Sequence, residues 1–229
     1  FRSSGAGNAD DFYVVMARTG GEGPKGISTF VVEGGTPGLS FGANERKMGW
    51  NAQPTRAVIF EDCRIPAANL LGKEGDGFRI AMSGLDGGRL NIAACSVGGA
   101  QAALDKALAY TAKRKAFGKK LNEFQALQFR LADLAIGLEA ARLYLYAAAA
   151  SYDRGDADKT VRIAGAKRFV TDTGFEVANG ALQLLGGYGY LSEYGIEKIV
   201  RDLRVHQILE GTNEVMRVIV SRDLLGRAA

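Results

Sequence analysis

The spacing of apolar residues changes character after residue 68. Before it, apolar positions come in short runs rich in β-branched and aromatic residues: Phe12-Tyr-Val-Val-Met-Ala17, Ile27-Ser-Thr-Phe-Val-Val32 and Arg56-Ala-Val-Ile-Phe60. Runs of that kind, bounded by turn residues, predict strands. The glycine-rich stretch from Thr19 to Gly26 is the long turn between the first two, and Pro66 closes the third. From Asp76 onward the apolar positions recur every three or four residues. That period predicts helices over roughly 76–115, 123–154, 157–186 and 212–226, with a short one near 196–204. The breaks between them are short, as in a helical bundle. The predicted fold class is therefore α+β: a β domain over 1–68, then a helical bundle over 69–229. So few strands make a thin sheet with open edges. Ala147-Ala-Ala-Ala150 is the single low-complexity patch, and no internal repeat is visible.

Composition narrows the classes. The chain has 229 residues, 47% hydrophobic and 24% charged, enough for a sizeable core in one or two domains. The net charge is +4, and the basic residues are scattered except at Lys113-Arg114-Lys115 and Lys119-Lys120. No aromatic-interleaved basic stripe accompanies that cluster, so nucleic-acid binding is not predicted. Its plain reading is a solvated helix end, where the dipole favours cations. Cys63 and Cys95 lie among apolar or small residues and are expected to be reduced core residues, not a disulfide framework. A single histidine and no second cluster of soft ligands leave no expected metal site. No apolar run approaches membrane-spanning length, and no leader pattern is visible.

One carboxylate stands out. Glu210 lies between His206-Gln207-Ile208-Leu209 and Gly211-Thr212, in apolar sequence. Desolvation there would raise its pKa toward the working range of a general base. Gly211 removes a side chain beside it, so a flat ligand can approach the backbone. Thr212 is placed as an N-cap, because Val215, Met216, Val218, Ile219 and Val220 follow at amphipathic spacing. The free N–H groups of such a helix end attract anions. On the residues alone, a charge favoured at a helix N-terminus is the plainer reading of Glu210. A second oddity is Asp86-Gly87-Gly88-Arg89, inside a predicted helix. Each interior glycine there costs about 0.8–1 kcal/mol relative to alanine. A kink or tight helix packing explains the pair, and close ligand approach is the alternative.

The stretch from Gln183 to Glu214 carries a pattern: Gln183, Gly186-Gly187, Gly189-Tyr190, Glu193, Lys198 and Asp202, then Leu209-Glu210-Gly211-Thr212. This spacing resembles the C-terminal signature of the acyl-CoA dehydrogenase family, and the resemblance runs over essentially the whole chain. Within the family, Gly49 to Cys63 and Leu85 to Cys95 look most like the branch that acts on isobutyryl-CoA. The resemblance implies FAD as cofactor, an acyl-CoA thioester as substrate and electron-transfer flavoprotein as electron acceptor. It implies a homotetramer, in the mitochondrial matrix or the bacterial cytoplasm. Glu210 becomes the base that removes the α proton, while the β hydrogen leaves as hydride to the flavin. The thioester oxygen is held by the Glu210 N–H and a flavin ribose hydroxyl. In the isovaleryl and long-chain branches the base sits instead at the position of Gly88, which here cannot take a proton.

Further roles carried over by resemblance are flavin contacts at Arg114, Phe124, Gln125, Thr212, Asn213 and Glu214. Gln183, Gly186 and Gly187 resemble residues that receive the adenine dinucleotide across a subunit boundary, so they and Arg114 are expected to reach one cofactor from different chains. Asp86, Gly87, Gly88, Arg89, Gly211 and Arg222 resemble acyl-CoA contacts, with Arg89 near the CoA portion. Tyr188 and Tyr190 read as packing. The chain begins at Phe1, and the resemblance covers only the second half of a β domain plus the bundle, implying a partial antiparallel β domain followed by an up-down four-helix bundle. The expectation is that the family's N-terminal helices and its flavin-ring signature are absent, leaving the chain as given incomplete for activity. Two rival readings stand beside the dehydrogenase: an acyl-CoA oxidase, and a non-catalytic scaffold or assembly module of the same architecture.

Overall fold

In the computed structural model, which describes residues 2–4 and 12–226, the early apolar runs are strands. They are β1 (Arg2–Ser4), β2 (Phe12–Arg18), β3 (Ile27–Glu33), β4 (Leu39–Phe41), β5 (Thr55–Phe60) and β6 (Leu70–Leu71). They pair antiparallel in two three-stranded sheets, in the orders β1-β5-β4 and β2-β3-β6. Register in the longest pair sets Val14 opposite Val31 and Val15 opposite Phe30. Val32 and Val58 are buried, as are Ser28 and Thr29. β2 is apolar on both faces, and Phe12, Val14 and Met16 on one of them are exposed. β1, β4 and β6 escape the sequence pattern because two or three residues are too few to show a period.

The chain divides into two units, Phe1–Leu85 and Asp86–Ala229. Helices dominate the second: α1 (Gly77–Thr111), which starts before the division, then α2 (Gln125–Arg154), α3 (Lys159–Leu185), α4 (Ile196–Arg204) and α5 (Asn213–Gly226). The architecture is α+β with a C-terminal helical bundle, as the change of period predicts. Ala93, Val97, Ala100, Leu104 and Ala107 form the buried stripe of α1, at steps of three and four. Leu138, Ala141 and Leu145 face it from α2, and Val170, Val177, Ala178 and Ala181 from α3. Full burial of each leucine or valine contributes about 1.5–3 kcal/mol. Small residues let α3 lie close to its neighbours; a Cβ added at Gly174 would stand 3.1 Å from the carbonyl oxygen of Ser96. Among the described residues no helix is long and apolar enough to cross a membrane.

Two expectations are corrected. α1 stops at Thr111, and the basic cluster is not a helix end. Lys115–Ala116 (β7) pairs with Lys119–Lys120 (β8) in a hairpin. Its two-residue loop, Phe117-Gly118, has both residues left-handed at φ 50° and 83°, as tight hairpins require. The helical period ran on in the sequence because neither glycine nor proline occurs between Gly99 and Gly118. Cys95 is exposed and Cys63 only half-buried; both are free thiols. The stripe of α1 runs through Ala93, Ser96 and Val97, so the direction of Cys95 lies off it.

Candidate active site

The segment before α5 is wound tightly. Val205–Gln207 is a 3-10 turn, and the N–H groups of Ile208 and Leu209 both donate to the Val205 carbonyl, at 2.8 and 2.9 Å. The next two residues, Glu210 and Gly211, are left-handed, with φ of 56° and 85°. A glycine accepts that geometry freely, whereas a glutamate is strained in it. Thr212 then caps α5: its Oγ1 accepts the Val215 N–H at 3.4 Å, and its carbonyl starts the helical ladder with Met216 at 3.0 Å. The N-cap expected from sequence is present. Glu214, in the first turn, is exposed. Its own backbone N–H and the Thr212 hydroxyl hold its carboxyl below the ordinary range.

The half-buried side chain of Glu210 reaches α1 at Gly88. A methyl group built on Gly88 would overlap Oε2 of Glu210, and would lie 3.0 Å from its carboxyl carbon. The room left by Gly88 is thus filled by the carboxylate. Gly87 faces the Tyr152 hydroxyl more loosely, at 3.9 Å. The residues on either side are buried and bound to each other: Arg89 Nη1 donates to Asp86 Oδ1 at 3.2 Å. Asp86 Oδ2 accepts the Thr160 hydroxyl at 2.6 Å. Arg89 Nε donates to the carbonyl of Glu210 at 3.4 Å, tying α1 to the left-handed turn.

Sequence reasoning missed the residues beneath this turn. Lys167 of α3 is completely buried; its Nζ donates to the Gly211 carbonyl at 2.8 Å and to Asn213 Oδ1 at 3.0 Å. Burial lowers its pKa to about 8, against the opposing pull of Asp172. Asn213 is itself buried, and its Nδ2 donates to Asp172 Oδ1 at 2.6 Å and to Thr171 Oγ1 at 3.0 Å. Asp172 also accepts from Gln207 at 2.8 Å and pairs with Arg168 at 3.1 Å. The signal for Lys167 was present: it occupies the apolar stripe of α3, between Ile163 and Val170, where a lysine is out of place. His206 is buried too, with Nδ1 2.6 Å from Ser96 Oγ, and desolvation lowers its pKa to about 4.

Two clefts hold most of the remaining candidates, whereas Phe124, Gln125 and Arg222 line neither. One, of about 650 Å³, is lined by Tyr110, Arg114, Leu121, Arg130, Gln183, Gly186, Gly187 and Tyr188. The Arg114 guanidinium lies 5.4 Å above the Tyr188 ring. Nothing lies within 4 Å of a Cβ added at Gly186 or Gly187, so bare backbone faces open space. Guanidinium forks, bare backbone and an apolar wall suit the phosphates and flat ring of a dinucleotide. Arg114 and the Gln183–Gly187 stretch thus line one cleft of the same chain. Phe124 stands edge-on to Phe117 at 6.5 Å, and Gln125 opens α2. The second cleft, about 490 Å³, is polar and lies at the start of α5, among Asp172, Arg204, Gln207, Thr212, Asn213, Glu214 and Arg217. Arg222 is exposed near the end of α5.

Comparison with known proteins gives two family models. "Acyl-CoA dehydrogenase, middle domain" matches residues 2–63, and "Acyl-CoA dehydrogenase, C-terminal domain" matches 75–225. Mitochondrial isobutyryl-CoA dehydrogenase of Bos taurus is 57% identical over 97% of this chain and 53% of its own. The structure of butyryl-CoA dehydrogenase from Megasphaera elsdenii has a TM-score of 0.90 at 44% identity, covering 94% of this chain and 56% of that one. A structure described as PigA with FAD and proline has a TM-score of 0.89 at 31% identity, covering 95% and 57%. The chain spans about half the length of the relatives it matches.

Proposed function

Since the chain belongs to the acyl-CoA dehydrogenase family, we propose that the protein is an FAD-dependent dehydrogenase of short branched acyl-CoAs. Its first substrate is isobutyryl-CoA, converted to methacrylyl-CoA in valine breakdown. The observation that carries this reading is the carboxylate of Glu210 against Gly88, on a strained turn tied down from α1 and α3. A group so placed keeps one position relative to a bound thioester, which general-base catalysis needs.

Glu210 takes the α proton onto its carboxylate. Negative charge gathers on the thioester oxygen as the proton leaves, and the peptide N–H of Glu210 is the chain's own donor to it. Arg89 acts on the base through the Glu210 carbonyl, with Asp86 fixing the guanidinium. Gly88 makes room for the base itself, Gly87 and Gly211 lie beside it toward the acyl group, and Arg222 serves the CoA end. The flavin, when bound, supplies the acceptor for the β hydrogen. Arg114, Gln183, Gly186 and Gly187 would hold its phosphates and adenine, with Phe124 and Gln125 beside them. Thr212, Asn213 and Glu214 offer the start of α5 from the other cleft. With two clefts offered to one cofactor, the reading calls for a subunit boundary between them and for a homotetramer. Electron-transfer flavoprotein takes the electrons onward.

The test uses the full-length protein with an artificial electron acceptor. Glu210→Gln is expected to keep its flavin and lose at least ~10²-fold in rate; near-normal turnover sinks the assignment. Across isobutyryl-, 2-methylbutyryl-, butyryl- and octanoyl-CoA, kcat/KM should fall in that order. One misplaced methylene is worth only ~1–3 kcal/mol, so butyryl-CoA still reacts. An octanoyl preference overturns the branch and leaves the dehydrogenase chemistry standing.

A further inference from the structure

We propose that Lys167 is a positioning residue of the reaction: from inside the bundle its amine holds the turn that carries Glu210, and so sets where the carboxylate lies. The proposal rests on the reading of Glu210 as the base. A lysine with no exposed surface is rare unless every donor has a purpose. Both hydrogen bonds found for this one end on the turn, at Gly211 and Asn213. The turn needs such a hold. It has two successive left-handed residues, one of them not glycine. Strain of that kind persists only where the surroundings over-determine it. The tie from Arg89 to the Glu210 carbonyl is longer, 3.4 Å against 2.8 Å. Asn213 in turn is fixed by Asp172 and Thr171, so the amine pulls against an anchored partner.

The charges that act on Lys167 agree with this role. Asp172, Glu210 and Glu214 favour its ammonium form, and Arg89 opposes it. The amine thus joins the carboxylate of α3, the first turn of α5 and the base in one electrostatic group. An apolar side chain of equal length would fill the same space and make none of these ties.

The experiment is Lys167→Met in the full-length flavin-loaded protein, with Glu210→Gln beside it. Expected is a fall in kcat of at least ~10-fold, with KM for isobutyryl-CoA and flavin content changed by less than about two-fold. Amide hydrogen exchange at Gly211–Asn213 should quicken by at least ~10-fold, while the α1 and α3 core amides keep their protection. Unchanged kcat together with unchanged exchange overturns the proposal. So does a loss of rate that only follows a loss of folded, flavin-loaded protein, because that marks a purely structural lysine. If Lys167→Met does not fold, Lys167→Gln is read in the same way, since its donor is too short to span both acceptors. If Glu210→Gln proves fully active, the base assignment has failed, and the hold on the turn is judged by amide exchange alone.

Discussion

An alanine at position 88 would push its methyl group into the carboxylate of Glu210. The obstacle is the end of a flexible side chain, so the carboxylate swings away and the backbone stays. Helix propensity even favours the change, by about 0.8–1 kcal/mol. Gly88→Ala is therefore expected to unfold no earlier than the parent, yet to turn over acyl-CoA about 10²-fold more slowly, because the base is misplaced. Unchanged kcat in a well-folded Gly88→Ala protein shows that the carboxylate does not act from this spot. The sequence comparison treated positions 88 and 210 as alternative seats for a base. Spatially they are one seat, reached from two elements, and an empty Cβ on α1 is what admits the glutamate. That closeness spans more than a hundred residues of chain, so no local pattern displays it. Lys167 differs: its misfit in an apolar stripe was visible along α3, but the carbonyl it serves was not.

At the scale of elements, His206 ties the 3-10 turn before the site to α1 through Ser96. Desolvation keeps its ring neutral down to about pH 4, while in the unfolded chain it titrates near 6.5. Between those values the unfolded state binds a proton that the folded state refuses. Its contribution is complete above pH 6.5 and is lost as pH falls toward 4, at up to about 1.4 kcal/mol per pH unit. Urea unfolding of the full-length protein at pH 7 and pH 5 should show this loss, and His206→Gln should remove that part of the slope. An identical pH dependence in the variant would contradict it. Helices of this length declare themselves by period, and α4 begins and ends where the sequence predicts, at 196 and 204. The β7–β8 hairpin did not, because two lysine-bearing pairs around Phe117-Gly118 carry no period at all.

For the whole molecule, the outward face of α2 bears on assembly. Phe129, Ile136 and Leu143 recur every seven residues there, and all three are exposed, at 62%, 68% and 60%. An apolar seam of that spacing is suited to another helix. Together with the two clefts proposed to share one cofactor, it leads us to expect a homotetramer, a dimer of dimers, when the full-length protein is measured by light scattering. A monomer retaining one FAD per chain would contradict that expectation. The left-handed glutamate has a consequence on the same scale. A residue other than glycine in this conformation costs roughly 1–2 kcal/mol, a noticeable part of a total of about 5–15 kcal/mol for a typical domain. Glycine at 210 would relax the backbone and strengthen the fold. Breeding this protein for shelf life and breeding it for turnover would thus drive that codon in opposite directions, and a library ranked on heat resistance alone would discard the proposed base among the earliest improvements.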